Sequence, residues 1–231
     1  MSADAGSSRP ELAIYDMDRT ITRTGTYTPF LIHAALARAP WRLLFLPVAL
    51  LAMLVYALKL CTRAQLKEFN QALLLGRHIS REALAPVTSS FADRVYRLNT
   101  RPGALRQIAD DRAAGRRLVL ATASYRLYVE AIAARLGFDD VIATNSIIGI
   151  DARVTAKIDG ENCYGPAKLR MIEAWMAREG IAREAVSIRF YSDHRSDAPV
   201  LAWADEPFAA NPEPRLRKLA QRLGWAVVDW A

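Results

Sequence analysis

Two aspartates one residue apart, Asp16 and Asp18, follow an apolar run at 12–15 (LAIY), and Thr20 completes the segment DMDRT. A second acidic pair, Asp193 and Asp197, follows the run 186–191 (VSIRFY). Two carboxylates at that spacing on a strand end, joined by a third from another strand, make a hard oxygen site suited to Mg²⁺, which keeps waters and pairs with phosphate oxygens. Thr122, after LVLA at 118–121, and Lys168, at the start of a helical stretch, add a hydroxyl and an ammonium. A divalent cation and Lys168 would together neutralise phosphoryl oxygens, so that an anionic Asp16 can approach phosphorus as a covalent nucleophile.

Each of these residues has an ordinary reading when taken alone. Asp-x-Asp is common in turns, and Thr122 or Ser124 is a fair cap for a helix from Tyr125. Lys168 suits a solvated helix face, and Asp193 and Asp197 suit a helix start, where the macrodipole favours acids. Their order sets them apart. All four segments fall at a strand end or in the first turn of the helix that follows, and in open α/β sheets ligands bind beyond the carboxyl ends of the strands.

The elements that must position them are short apolar runs at 12–15, 118–121, 141–143, 186–191 and 207–210, separated by helical patterns at 103–115, 125–136, 167–179 and 213–223. Crossovers of that length imply a mainly parallel, doubly wound, Rossmann-like α/β sheet covered on both faces. Residues 147–158, with Gly149 and Asp151 at the bend, read as a β-hairpin attached to it. Helical patterns dominate 25–100 and no strand is expected there, so this stretch reads as an inserted, all-helical cap on a core formed by 1–24 and 101–231. The chain has 231 residues, enough for one such core with an insertion. Gly-rich phosphate loops of the GxxxxGK[ST] and GxGxxG kinds are absent.

A net charge of +7 favours anionic partners. A phosphorylated metabolite and an anionic lipid surface fit this, and no nucleic-acid partner is expected. Cys61 and Cys163 lie far apart with no metal-ligand spacing around them, and read as reduced, mostly buried thiols that suit the cytoplasm. Residues 1–10 carry no apolar stretch behind a basic start, and read as a loose tail and not a secretory signal.

The segments DMDRT, LVLATAS, GPAKLRM and SDHRSD resemble the motif set of the haloacid dehalogenase superfamily phosphatases: DxDx[TV], a strand-end Ser or Thr, a Lys, and an acidic DxxxD pair. The resemblance implies Asp16 as nucleophile and Asp18 as general acid and then base. It implies Thr122 and Lys168 as phosphate clamps, and a Mg²⁺ held by Asp16, the backbone carbonyl of Asp18, Asp193 and waters. Thr20 and Asp197 would support these groups from behind. A helical insertion between the first two motifs resembles the phosphoserine phosphatase-like subgroup, subfamily IB. The chain departs from it at Gly25, where phosphoserine phosphatases carry Glu for the substrate's amine, and at Ser196, where they carry Asn, which argues against phosphoserine itself. The expected activity is hydrolysis of a phosphomonoester, either a small metabolite or a lipid headgroup phosphate. The rivals are a phosphotransferase sharing the aspartyl-phosphate and a non-catalytic basic membrane-binding module.

Within the insertion, Asp and Glu are absent from Arg19 to Lys67, and 43–58 is an unbroken apolar run flanked by Trp41, Arg42 and Lys59. One crossing of a bilayer there would separate Asp16 from Lys168 and Asp193, so a membrane reading requires a helical hairpin over 29–58 turning near Ala39 and Pro40, or a helix lying in the interface. The alternative is a helix buried within the cap of a soluble enzyme. The cap also resembles that of phosphatidylglycerophosphatase-type members of the subgroup. On the membrane reading residues 29–60 meet the inner face of the membrane.

Overall fold

A computed structural model describes residues 9–231. The tail expected at 1–10 lies outside this range except for its last two residues. In chain order, β1 (Glu11–Tyr15) is followed by a tight turn at Met17–Ile21 and then by α1 (Tyr27–Arg38), a 3₁₀ turn (Pro40–Phe45), α2 (Leu46–Ala57), α3 (Arg63–Leu74), β2 (His78–Ile79) and α4 (Arg81–Leu98). The chain then runs through α5 (Pro102–Ala113), β3 (Arg117–Tyr125), α6 (Arg126–Leu136), β4 (Asp140–Ile148), β5 (Val154–Asp159), α7 (Pro166–Arg178) and β6 (Ser187–Ser192). It ends with α8 (Ala198–Trp203), β7 (Glu206–Ala210), α9 (Pro214–Leu223) and β8 (Ala226–Val228).

The eight strands form one sheet in the order β2-β5-β4-β3-β1-β6-β7-β8. Pairing is parallel from β4 through β8 and antiparallel across β4, β5 and β2. Side chains alternate between faces along a strand. Ala13, Tyr15, Leu118 and Leu120 therefore pack with α5 and α6, whereas Leu12, Ile14, Val119 and Ala121 pack with α7, α8 and α9. Burial of both faces explains why the central strands read as continuous apolar runs with no alternation.

The mainly parallel, doubly wound core agrees with expectation, as does the hairpin, whose turn holds Gly149 and Asp151 between β4 and β5. Residues 21–23 and 99–101 run side by side, with Thr22 paired to Thr100 and Arg23 N–H donating to Asn99 O at 2.7 Å, so the insertion leaves and re-enters the core at one place.

The insertion is not helical throughout. His78 and Ile79 pair with Thr155 and Val154 and extend the core hairpin by a short strand, too brief to leave a periodicity in the sequence. Strand β8 and helix α8 are also unanticipated, each being too short for a repeating pattern. Cys61 is partly exposed, whereas Cys163 is buried as expected. The chain does turn at Ala39 and Pro40, but α2 packs chiefly on α3, so 29–58 does not close as a hairpin on itself. Nor is α2 a buried cap helix, because Ala49 is its one buried residue.

Under the sheet, Asp111 on α5 is fully buried and accepts hydrogen bonds from the hydroxyls of Tyr15 and Tyr191, the latter at 3.0 Å, and from Arg189 at 3.2 Å. These partners tie α5 to β1 and β6, the two strands that carry the acidic motifs. Removing one member of a buried charged network strands the rest. Asp111→Ala is expected to cost about 3–5 kcal/mol, lowering a circular-dichroism melt by roughly 10 °C.

Candidate active site

Asp16 is the first residue past β1, and its N–H still donates to Tyr191 O at 2.9 Å, which fixes its direction. The turn after it places Arg19 at φ 67°, an unusual left-handed conformation for a residue with a side chain. This turn folds Thr20 back, so that its hydroxyl lies 3.1 Å from Asp16 Oδ2 and 3.1 Å from Asp193 Oδ1. Thr20 Oγ1 also accepts the Asp193 N–H at 2.9 Å. One hydroxyl proton is thus shared between two carboxylates from neighbouring strands. Asn211, at the end of β7, secures the turn by donating to Thr20 O at 3.1 Å.

Lys168 enters from the first turn of α7. Gly165 precedes that helix at φ 60°, ψ −135°, a conformation that a side chain resists, and so aims the turn at the strand ends. The ammonium donates to Asp16 Oδ1 at 2.7 Å and to Asp197 Oδ2 at 2.6 Å, and it is 2% exposed. Burial pulls its pKa down, but Asp16 and Asp197 more than reverse this and hold it above the ordinary lysine value. Ser192 Oγ donates to Asp197 Oδ2 at 2.8 Å. Thr122 and Ser124, from the end of β3, line the same cleft with Asp16, Asp18, Lys168, Asp193 and Asp197, around a cavity of about 650 Å³.

The seven residues expected from the sequence therefore converge on one rim, except that Thr20 stands behind it. Ser124 does not cap α6; it donates to Asp18 Oδ2 at 2.6 Å. Thr26 donates to Asp18 Oδ1 through N–H at 2.8 Å and through its hydroxyl at 2.7 Å. Sequence reasoning missed Thr26, since nothing local links it to a carboxylate eight residues earlier. From the cap, Lys67 reaches across to Ala123 O at 2.6 Å and Asn162 Oδ1 at 2.8 Å, and its ammonium lies 4.3 Å from the Tyr125 ring centroid. Burial, then Arg63, pushes the Lys67 ammonium down to about 7, against the pull of Asp18. Arg63 stacks on Tyr164, 4.2 Å above the ring, at the cleft's edge.

The acids carry more charge than their surroundings compensate. Burial raises Asp16 to about 6; Lys168 opposes the rise and Asp197 adds to it. Burial and then Asp16 raise Asp193 to about 8. Lys168 is committed to Asp16 and Asp197, leaving Asp193 with a shared hydroxyl proton and no cation of its own among the described residues. Asp16 and Asp193, bridged by the Thr20 hydroxyl, are hard oxygen donors of the kind that could hold a divalent cation such as Mg²⁺.

A haloacid dehalogenase-like hydrolase family model matches residues 13–202, and the chain belongs to that family. A crystal structure of a Bordetella pertussis protein of unknown function is 30% identical and superposes with a TM-score of 0.87, covering 97% of this chain and all of that one. The phosphoserine phosphatase SerB1 of Mycobacterium tuberculosis is 32% identical over 117 residues, 51% of this chain and 37% of that protein. A histidinol-phosphatase of Neisseria meningitidis is 27% identical over 118 residues, 51% of this chain and 53% of that protein. The chain spans about half the length, or less, of the first curated relatives it matches.

Proposed function

We propose that the chain is a Mg²⁺-dependent phosphomonoester hydrolase that takes phosphate onto Asp16. The observation that carries this reading is the meeting of Asp16, Lys168 and Asp193 from three separate segments, with Lys168 2.7 Å from the Asp16 carboxylate. Of the expected core at 1–24 and 101–231, residues 1–8 lie outside the described residues; in this reading 9–24 and 101–231 carry the catalysis, and 25–100 form the cap that selects substrates. Two relatives named as phosphatases of different substrates support the reaction class and leave the substrate open.

The Asp16 carboxylate attacks phosphorus as the alcohol departs. Lys168 and Thr122 hold the phosphoryl oxygens, and Asp18 protonates the departing alcohol, then removes a proton from the water that hydrolyses the aspartyl-phosphate. Thr26 and Ser124 keep the Asp18 carboxylate facing the leaving group. A bound Mg²⁺ would supply charge neutralisation at the transferring group. Asp197 and Thr20 orient Lys168 and the two metal-facing carboxylates.

The leaving-group side offers Lys67, Arg63 and Arg19 with Met53, Tyr56 and Leu66, and no carboxylate beyond the catalytic set. Gly25 borders it with open space, since a Cβ there would meet nothing within 4 Å. An ammonium-bearing substrate such as phosphoserine finds no counter-charge there. A small anionic or partly apolar phosphomonoester, or a lipid headgroup phosphate, fits better. Free Cys61 and Cys163, with the basic and apolar segment 29–60, support a cytoplasmic enzyme working at the inner face of the membrane.

Phosphate release from an aryl phosphate tests the reaction. Chelation should lower the rate on the order of 10²–10³-fold and added Mg²⁺ should restore it; an unchanged rate after chelation removes the metal from the proposal. The cation should also raise the melting temperature more at pH 8.5 than at pH 6. At the lower pH Asp193, titrating near 8, still holds a proton that the metal must displace; at the higher pH it is an uncompensated charge.

A further inference from the structure

Beyond its packing on α3, helix α2 is left uncovered by the described residues. Of its 12 residues only Ala49 is buried. Leu50, Leu51 and Leu54 are 63%, 59% and 54% exposed, and Trp41, Leu44 and Leu58 around them are 57%, 80% and 62% exposed. A contiguous apolar face of this kind marks an interaction site on a folded protein. The helix is apolar around its whole circumference, so no rotation of it would put a polar face towards water.

Charge selects the occupant. No Asp or Glu lies between Arg19 and Lys67, and within that stretch Arg38, Lys59 and Arg63 are exposed, Lys59 two residues past the end of α2. Exposed leucines in a segment that carries cations and no carboxylate suit an anionic bilayer, where acyl chains take the leucines and headgroups take the cations. Trp41 suits headgroup depth. A second copy of the chain would instead bring two uncompensated sets of cations together around the same patch.

The segment Pro40–Ala57 is long and apolar enough to cross a membrane. Asp16 precedes it and Lys168 follows it, however, and the two side chains are 2.7 Å apart in one site. A single crossing would place them on opposite sides of the bilayer, so a bilayer can meet this helix only at its interface.

We propose that α2 and the 3₁₀ turn before it form an interfacial docking element that seats this protein on an anionic bilayer surface. Met53 and Tyr56 on α2 also line the catalytic cleft, so docking brings the mouth of the cleft to the headgroup layer. The functional meaning of that orientation rests on the phosphatase reading; the docking does not.

The test is sedimentation of the full chain with vesicles of phosphatidylcholine alone or mixed with phosphatidylglycerol. The protein should pellet with the mixed vesicles and not with phosphatidylcholine, less so at high salt. Leu50→Glu/Leu54→Glu should lower partitioning at least tenfold while keeping the wild-type aryl-phosphatase rate and melt. Wild type left in the supernatant with both vesicles overturns the proposal, as does unchanged pelleting of the double variant. Light scattering that finds a dimer dispersed by the same substitutions assigns the face to a second copy and also overturns it. Asp16→Asn should pellet as wild type does. Vesicle binding by a protein that releases no phosphate would overturn the phosphatase reading and leave the docking element standing.

Discussion

Asp16→Asn is expected to lower phosphate release from an aryl phosphate by roughly 10⁴-fold, about 5.5 kcal/mol of transition-state stabilisation, without unfolding the protein. Asparagine keeps the shape and the oxygen that Lys168 approaches, but it cannot form the acyl-phosphate. Stability should move the other way. A carboxyl whose folded pKa lies above its unfolded value favours the fold at low pH, and that contribution is lost as pH rises through the folded value. Asp16 is raised to about 6, by burial first and against the pull of Lys168, so at pH 7.5 its charge works against the fold. Before metal is added, Asp16→Asn should therefore melt no lower than wild type at pH 7.5, and the difference should vanish near pH 4. A variant keeping more than a hundredth of the wild-type rate would show that another group takes the phosphate. A variant that melts far lower would show Asp16 to be structural.

The candidate rim was legible because a parallel sheet imposes one geometry on it. Asp16, Thr122 and Asp193 each follow an apolar run, and Lys168 opens a helix, so strand-end convergence brings them together without knowledge of any contact. What stayed hidden depends on contacts across the fold. Ser124 and Thr26 grip the same carboxylate although 98 residues separate them, and either looks like an ordinary helix-start hydroxyl in its own segment. Lys67 reads as one charge in a helix, yet its ammonium ends on the backbone beside Thr122. The fate of 43–58 was undecided for a different reason. Apolar residues all round a helix give no face to orient by, and only its packing on α3 shows how little of it the cap covers.

Replacing Lys168 with methionine should produce the second large effect, and here activity and stability must be separated. The ammonium is 2% exposed and sits between Asp16 at 2.7 Å and Asp197 at 2.6 Å, so methionine fills its volume but leaves two buried carboxylates without their cation. Breaking a buried pair in this way costs about 3–5 kcal/mol. Asp197 Oδ1 is already without a hydrogen-bond partner among the described residues, so Asp197 has little to fall back on. The rate should fall on the order of 10³-fold through loss of charge at the phosphoryl oxygens. If instability were the whole cause, neutralising the stranded acid would restore both properties. In Lys168→Met/Asp197→Asn, urea denaturation should recover a large part of the lost stability, a coupling of the kind neighbouring charges show. Phosphate release should remain at the level of the single variant, because the remaining Asp16 still meets an incoming phosphate with no ammonium beside it. Recovery of the rate together with the stability would mean that Lys168 only holds the acids in place and never touches the substrate.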